Sequence, residues 1–295
     1  MSLAYVGEKK FYCRGVSLSA KEWGIVGSNP VIALHGWLDN AATFDRMIPH
    51  IKDMHILALD SAGHGLSDFR SPDASYDLFQ EIQDVTSIAK QMNWDRFSLI
   101  GHSRGALIGA LVAGAFPRLI ARLFMIDGHI SVAGENHDAA RQLGKSIREE
   151  QLFTSQNPTF FTTFGEAVTA RANGFLPLEK DAAEILAKRG VRKCDRGYYW
   201  HNDQRLKCSP SLRLTVGQIK NFLTAVAAPT KMILANKGIF VDLKNSDQHM
   251  KKYINPRIHI TNFVEEEMDG GHHLHLESRA KDVAYSISEH FGLIV

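Results

Sequence analysis

Arg96-Phe97-Ser98-Leu99-Ile100-Gly101-His102-Ser103-Arg104-Gly105, running on through the small-residue segment Ala106 to Phe116, is the stretch that decides the fold. An apolar strand, Arg96 to Ile100, enters the pattern G-x-S-x-G, and a helix leaves it. That strand, turn and helix context is what a nucleophile elbow requires. Gly101 and Gly105 relieve crowding around the tight turn, so the backbone can present the Ser103 hydroxyl at an exposed, strained corner. Ser103 is therefore the candidate nucleophile. The bland reading of the same residues is a helix-start turn without chemistry.

Outward from this element, short apolar runs alternate with amphipathic segments, the signature of a parallel sheet covered by helices. On the N-terminal side, Val16 to Trp23 reads as an early antiparallel strand, Val31 to Leu34 as a buried strand, Ala42 to Ile51 as a helix and His55 to Asp60 as the next strand. Tyr76 to Met92 reads as a helix, with Asp77 as its N-cap and Phe79, Ile82, Val85 and Ile88 along one face. Beyond the elbow helix, Ala121 to Ile126 forms another strand, ending at Asp127-Gly128. The pattern then changes: from about Ile130 to Lys220 the chain is helical, aromatic-rich and polar, without clear buried strands. Lys231 to Ala235 and Arg257 to Ile260 resume the sheet. The expected organisation is a core of residues 1–129 and 219–295 with a helical cap, 130–218, inserted between strands.

Composition narrows the function classes. The 295 residues carry 34 Lys and Arg against 32 Asp and Glu, a net charge of +2, which gives no field suited to nucleic acid or an acidic membrane. No signal-peptide stretch opens the chain and no run approaches membrane-span length, so a cytoplasmic protein without membrane insertion is expected. Cys13, Cys194 and Cys208 are odd in number and lack C-x-x-C spacing, which favours reduced thiols over a disulfide framework or a zinc site.

Further residues carry a resemblance. His35-Gly36-Trp37-Leu38-Asp39-Asn40, Phe44-Asp45-Arg46, Ile48-Pro49, Asp60, Gly63-His64-Gly65-Leu66-Ser67, the elbow itself, and Tyr199-Trp200 with Asp203 and Arg205-Leu206 run through most of the chain. Together they resemble the serine hydrolase-like proteins of the α/β-hydrolase superfamily. The resemblance implies an α/β fold of the α/β-hydrolase type, a mostly parallel eight-stranded sheet flanked by helices with an inserted helical cap, and a serine triad. It implies no particular substrate.

A serine hydroxyl needs a base that takes its proton during attack and later protonates the leaving group. Of fourteen histidines, His272 in Gly270-Gly271-His272-His273-Leu274-His275-Leu276-Glu277 is the candidate. Its setting resembles the superfamily's G-H-x-x-x-x-E loop, and Glu277, five residues on, selects it over His273 and His275. Solvent-facing loop histidines and an imidazole metal site are the alternatives for the cluster.

For the acid that orients His272, the sequence departs from the commonest superfamily pattern, because Pro229-Thr230 leads to Asn236-Lys237-Gly238, with no carboxylate at Gly238. Asp127 lies directly after the strand beside the elbow strand, where some related hydrolases, certain haloalkane dehalogenases among them, carry their acid. Asp127 is the first choice and Asp242 the alternative.

The oxyanion donors expected are the backbone N–H groups of Arg104, after the nucleophile, and of Trp37, after His35-Gly36. The Trp37 indole is read as pocket wall. His35, His64 and His102 are read as structural, and the Arg104 side chain either pairs with a buried carboxylate or attracts an anionic substrate group. Aromatic cap residues such as Phe153, Phe160, Phe161, Phe164 and Tyr198 are enough to roof a pocket, and Lys188-Arg189 through Arg196 reads as a solvated basic face.

A serine nucleophile argues against haloalkane dehalogenation and epoxide opening, and no cofactor or metal motif stands in its required setting. The expectation is hydrolysis of a small-molecule carboxylic ester through an acyl-serine, with no cofactor and no metal. Thioesters and amides would use the same machinery. The alternative from another class is a ligand-sensing protein that keeps the fold and turns over slowly.

Overall fold

In the computed structural model, which describes residues 3–128, 133–239 and 255–293, alternating side chains build the two faces of one sheet. Along β3 (Asn29–Leu34), Ile32 and Leu34 face one apolar cluster while Val31 and Ala33 face the other. The same two-residue period sorts Leu57 from Ile56 and Ala58 in β4 (Met54–Leu59), and Leu123 and Met125 from Phe124 and Ile126 in β6 (Ile120–Ile126). A strand with both faces apolar must be covered on both sides, and this one is.

The sheet has eight strands: β1 (Tyr5–Cys13), β2 (Val16–Gly24), β4, β3, β5 (Phe97–His102), β6, β9 (Thr230–Lys237) and β10 (Phe263–Gly271), in that spatial order. β2 runs antiparallel to β1 and β4, and all later neighbours are parallel. One face is covered by α1 (Leu78–Gln91), α2 (Arg104–Ala115) and α6 (Val216–Thr224). The other is covered by the 3-10 turns Ala41–Phe44 and Ile48–His50 and by the C-terminal helix α7 (Ala280–His290). Residues 105–114 of α2 are buried on every side, which explains why its sequence is small and apolar all round rather than amphipathic.

Between β6 and β9 the chain leaves the sheet. It forms α3 (Ala139–Thr154), α4 (Phe164–Ala172) and α5 (Lys180–Gly190), then an antiparallel ribbon of β7 (Val191–Cys194) and β8 (Gly197–Trp200). α4 and α5 share a separate apolar cluster, in which Val168, Ala172, Leu186 and Ala187 meet Leu276 of the histidine loop. Among the described residues, no helix is long and apolar enough to cross a membrane.

Several local expectations are corrected. Ala42 to Ile51 is two 3-10 turns rather than a helix, because Pro49 interrupts the ladder. Arg257 to Ile260 is not a strand. Asn255 accepts a hydrogen bond from the Arg257 N–H at 3.0 Å and Pro256 opens a single helical turn, Pro256–His259, while the final strand lies further on. Asp77 stands at the N-cap position of α1 but makes no capping bond; its carboxylate accepts instead from Ser75 Oγ at 2.6 Å.

On α7, the His290 Nε2–H points at the carbonyls of Leu123 (3.1 Å) and Pro229 (3.2 Å). Burial, and then the charge of Arg122, lower its pKa to about 4. Unfolded, the same ring takes up a proton near pH 6.5. Between those values the unfolded chain binds more protons, so this group's contribution to stability is lost as pH falls from about 6.5 to about 4. The stability difference between wild type and His290→Gln, measured by denaturant titration, should shrink across that window.

Candidate active site

All the candidate groups lie at the carboxyl edge of the parallel sheet, where strand register brings them together. Leu34 pairs with Gly101 and His102 with Ile126, so His35-Gly36-Trp37, Ser103 and Asp127 leave three neighbouring strands side by side. Gly271 of β10 pairs with Lys237 of β9, which delivers His272 to the same edge.

Ser103 has φ 52° and ψ −116°, the strained corner expected of an elbow. Its N–H donates to Ile126 O at 2.9 Å and its carbonyl accepts from Ala106 N–H at 3.0 Å, which ties the turn from β5 into α2 to the end of β6 and to the helix start. Gly105 is required by close approach: a Cβ there would run into the carbonyl oxygens of Leu34 and, at 2.8 Å, His35. We expect Gly105→Ala to force α2 away from β3 and to cost about 1–3 kcal/mol or more of stability, as core overpacking does. Thermal and denaturant unfolding would check this, and an unchanged midpoint would contradict the tight elbow.

His272 Nδ1 lies 2.6 Å from Asp127 Oδ2, and both side chains are buried. Asp127 is fixed by its surroundings. Its Oδ1 accepts from Ala235 N–H at 3.0 Å and its Oδ2 from Ile239 N–H at 3.2 Å. Any side chain at residue 238 would collide with Oδ2, so Gly238 leaves room for a carboxylate that arrives from β6. The Asp127 backbone itself sits at φ 37°, another strained position at this edge. Asp242, the alternative acid, lies outside the described residues.

His102 Nε2 lies 3.0 Å from the His272 carbonyl, so the elbow and the histidine loop are joined directly. Glu277 reaches back to accept from Glu179 N–H at 2.9 Å at the start of α5. Trp37, almost half exposed, donates its indole N–H to Leu206 O at 2.8 Å. The Arg104 guanidinium pairs with Glu81 of α1, the first of the two readings for that side chain. His35 Nε2 accepts from Ser61 N–H at 3.0 Å, and His64 Nε2 from Leu38 N–H at 3.3 Å, so both shape loops.

Other expectations change. His273 and His275 are buried, not solvent-facing. Burial lowers the pKa of both, and of His102, so these rings are held neutral. Arg189 is buried too. It binds both oxygens of Asp60, at 3.1 and 2.9 Å, and both of Glu8, so the basic run from Lys188 is not uniformly a solvated face.

The sequence reading also missed a buried cluster around Asp39. Asp39 Oδ1 accepts from Arg171 Nη2 at 2.8 Å, and Oδ2 lies 3.0 Å from His273 Nε2. Asp39, His102 and His273 offer donor atoms within 4.8 Å of one another, the composition of a small metal site. Arg171 Nη2 also lies 3.1 Å from His273 Nε2, so the guanidinium already supplies the positive charge there. The surplus of histidines in Gly271-His272-His273-Leu274-His275 was the available signal.

A family model for the alpha/beta hydrolase fold matches residues 29–278. The chain belongs to the α/β-hydrolase family. Within it, the chain is similar to serine hydrolase-like protein 2 of Homo sapiens, 32% identical over 193 residues, which is 64% of this chain and 62% of that protein. The matched segment therefore spans about three fifths of the human relative's length. It is also similar to the serine hydrolase-like protein of Danio rerio, 27% identical over 88% of this chain and 81% of that protein. The solved structure of a hypothetical protein from Pseudomonas aeruginosa is 37% identical, covers 98% of this chain and 99% of its own, and superposes with a TM-score of 0.88.

Proposed function

We propose that this α/β-hydrolase is a serine hydrolase that cleaves a carboxylic ester of a small or medium apolar substrate through an acyl-serine intermediate. The observation that carries the reading is the 2.6 Å contact between His272 Nδ1 and Asp127 Oδ2 at the same sheet edge as the left-handed Ser103. The names of the serine hydrolase-like relatives support the same class.

In this reading Asp127 accepts the Nδ1–H of His272, which leaves Nε2 bare to take the Ser103 proton. Ser103 Oγ attacks the carbonyl carbon, and the oxyanion is held by the backbone N–H groups of Trp37 and Arg104. Arg104 is the first residue of α2, where N–H groups have no partner within the helix and the helix dipole favours negative charge. His272 then passes its proton to the departing alcohol as the ester C–O bond breaks. A water, deprotonated by His272, cleaves the acyl-serine and restores the site.

Residues 130–218 serve as a cap over this edge, with the aromatic ribbon as part of its roof. Phe160 and Tyr199 rings lie 5.6 Å apart, and Phe69 of the core stacks on His201 at 4.8 Å. An aromatic roof favours apolar acyl groups and excludes water. No cofactor or metal enters the reaction.

The reading is tested with p-nitrophenyl esters of increasing acyl length, alongside the matching thioester and anilide. Turnover of at least one ester, with the thioester and anilide slower, is the expected outcome. Faster thioester turnover would replace the bond assignment, and tight binding without turnover of any bond type would favour the ligand-sensing alternative.

A further inference from the structure

We propose that Arg171, Asp39 and His273 form a buried latch that couples the cap to the oxyanion turn, with Arg171 and Asp39 as positioning residues. This rests on the serine hydrolase reading above. It concerns residues outside the triad, of which His273 packs edge-on against the His272 ring with centroids 5.0 Å apart.

The argument begins with the turn that carries Trp37. Asp39 N–H donates to Gly36 O at 3.2 Å, closing a four-residue turn, and Leu38 at its third position has φ 60°. A leucine in the left-handed region persists only where its surroundings hold it there. One hold is the Leu38 N–H bond to His64 Nε2. The other is Asp39, whose N–H closes the turn and whose buried side chain, 2% exposed, uses both oxygens on groups from elsewhere in the chain.

Those two groups come from the parts of the molecule that must agree for catalysis. His273 directly follows the base His272. An ionised carboxylate can only accept, so His273 Nε2–H is the donor to Oδ2. Arg171 comes from α4 in the cap, and its Nη1 donates to Leu176 O at 3.1 Å, so the guanidinium is aimed by the cap's own backbone. One carboxylate thus ties the oxyanion turn to the histidine loop and to the cap.

Charge makes the tie sensitive to cap position. Burial alone would raise the Asp39 carboxyl, but the hydrogen bond from His273 and the charge of the Arg171 guanidinium outweigh it and hold the group well below the usual carboxylate range. Withdrawal of Arg171 would leave a buried anion without its counter-charge, which is strongly unfavourable. The turn would then move to recover solvent or a proton, and the Trp37 N–H with it. A lifted cap therefore disarms the oxyanion site, and a seated cap arms it.

The test measures the second-order rate of fluorophosphonate capture at Ser103, and kcat and KM on the best ester, for wild type, Arg171→Met, Arg171→Lys and Asp39→Asn. All are read below their melting temperatures. The latch predicts that R171M and D39N lose about 10²-fold in capture rate and kcat, the scale of an ångström-level misplacement, with KM within about threefold of wild type. R171K, which keeps the charge, should recover part of the loss. Capture and kcat unchanged in R171M and D39N, or a rise in KM alone, would overturn the latch. If R171M fails to fold, the near-isosteric D39N and the charge-keeping R171K decide the same question. An uncaptured wild type would instead refute the serine hydrolase reading, an outcome distinct from failure of the latch.

Discussion

Replacing Ser103 by alanine is expected to lower kcat by up to about 10⁶-fold, the scale seen when a triad nucleophile is removed. The fold should survive. Ser103 enters its turn through backbone bonds, its N–H to Ile126 O and its carbonyl to Ala106 N–H, and alanine keeps both. Both bonds are made by the backbone alone, so the melting temperature should stay near that of wild type while hydrolysis disappears. Residual turnover above about a hundredth of wild type, in protein shown to be folded by circular dichroism, would place the nucleophile elsewhere.

Asp127→Asn should produce the second-largest effect, a fall in kcat of about 10⁴-fold, as in triads whose acid is converted to its amide. The physical reason is tautomeric. Asp127 Oδ1 accepts from Ala235 N–H and Oδ2 faces His272 Nδ1, so an asparagine that keeps its oxygen on Ala235 turns its NH₂ toward the imidazole. Nδ1 then becomes the acceptor, the proton moves to Nε2, and the ring can no longer take the Ser103 proton. Asp242→Asn should retain wild-type turnover. The reverse pattern, with D127N active and D242N inactive, would transfer the acid role to Asp242.

How much of this was legible in the chain follows from the range of the interactions. The elbow is local: strand, glycine turn and small-residue helix lie within about twenty consecutive residues, and their pattern is that of a doubly covered parallel strand entering a sharp turn. The buried strands around it are continuous apolar runs and read as such. β10 was not found, because Phe263-Val264-Glu265-Glu266-Glu267-Met268 is an edge strand whose acidic side chains obscure its period, while Arg257 to Ile260 imitates alternation within a proline-initiated turn. β1, at the opposite edge of the sheet, is obscured in the same way by its many exposed positions.

The acid could be argued from position, because Asp127 directly follows a strand that pairs with the elbow strand. The Asp39 cluster could not. Asp39 and His273 are far apart in sequence, and nothing local distinguishes a buried aspartate in a turn from a solvated one. Arg189 shows the same limit: within a basic run it reads as surface, yet its partners, Glu8 and Asp60, come from β1 and from the end of β4. Long-range ion pairs depend on which strands become neighbours, and that is a property of the fold.

The most direct test of the account is capture by a fluorophosphonate probe, with the modified peptide located by mass spectrometry in wild type, Ser103→Ala and His272→Ala. The account predicts one probe per wild-type chain, carried on the Ser103 peptide, and no capture in either variant. Capture on another residue, or a folded wild type that resists the probe while binding candidate esters, would contradict it.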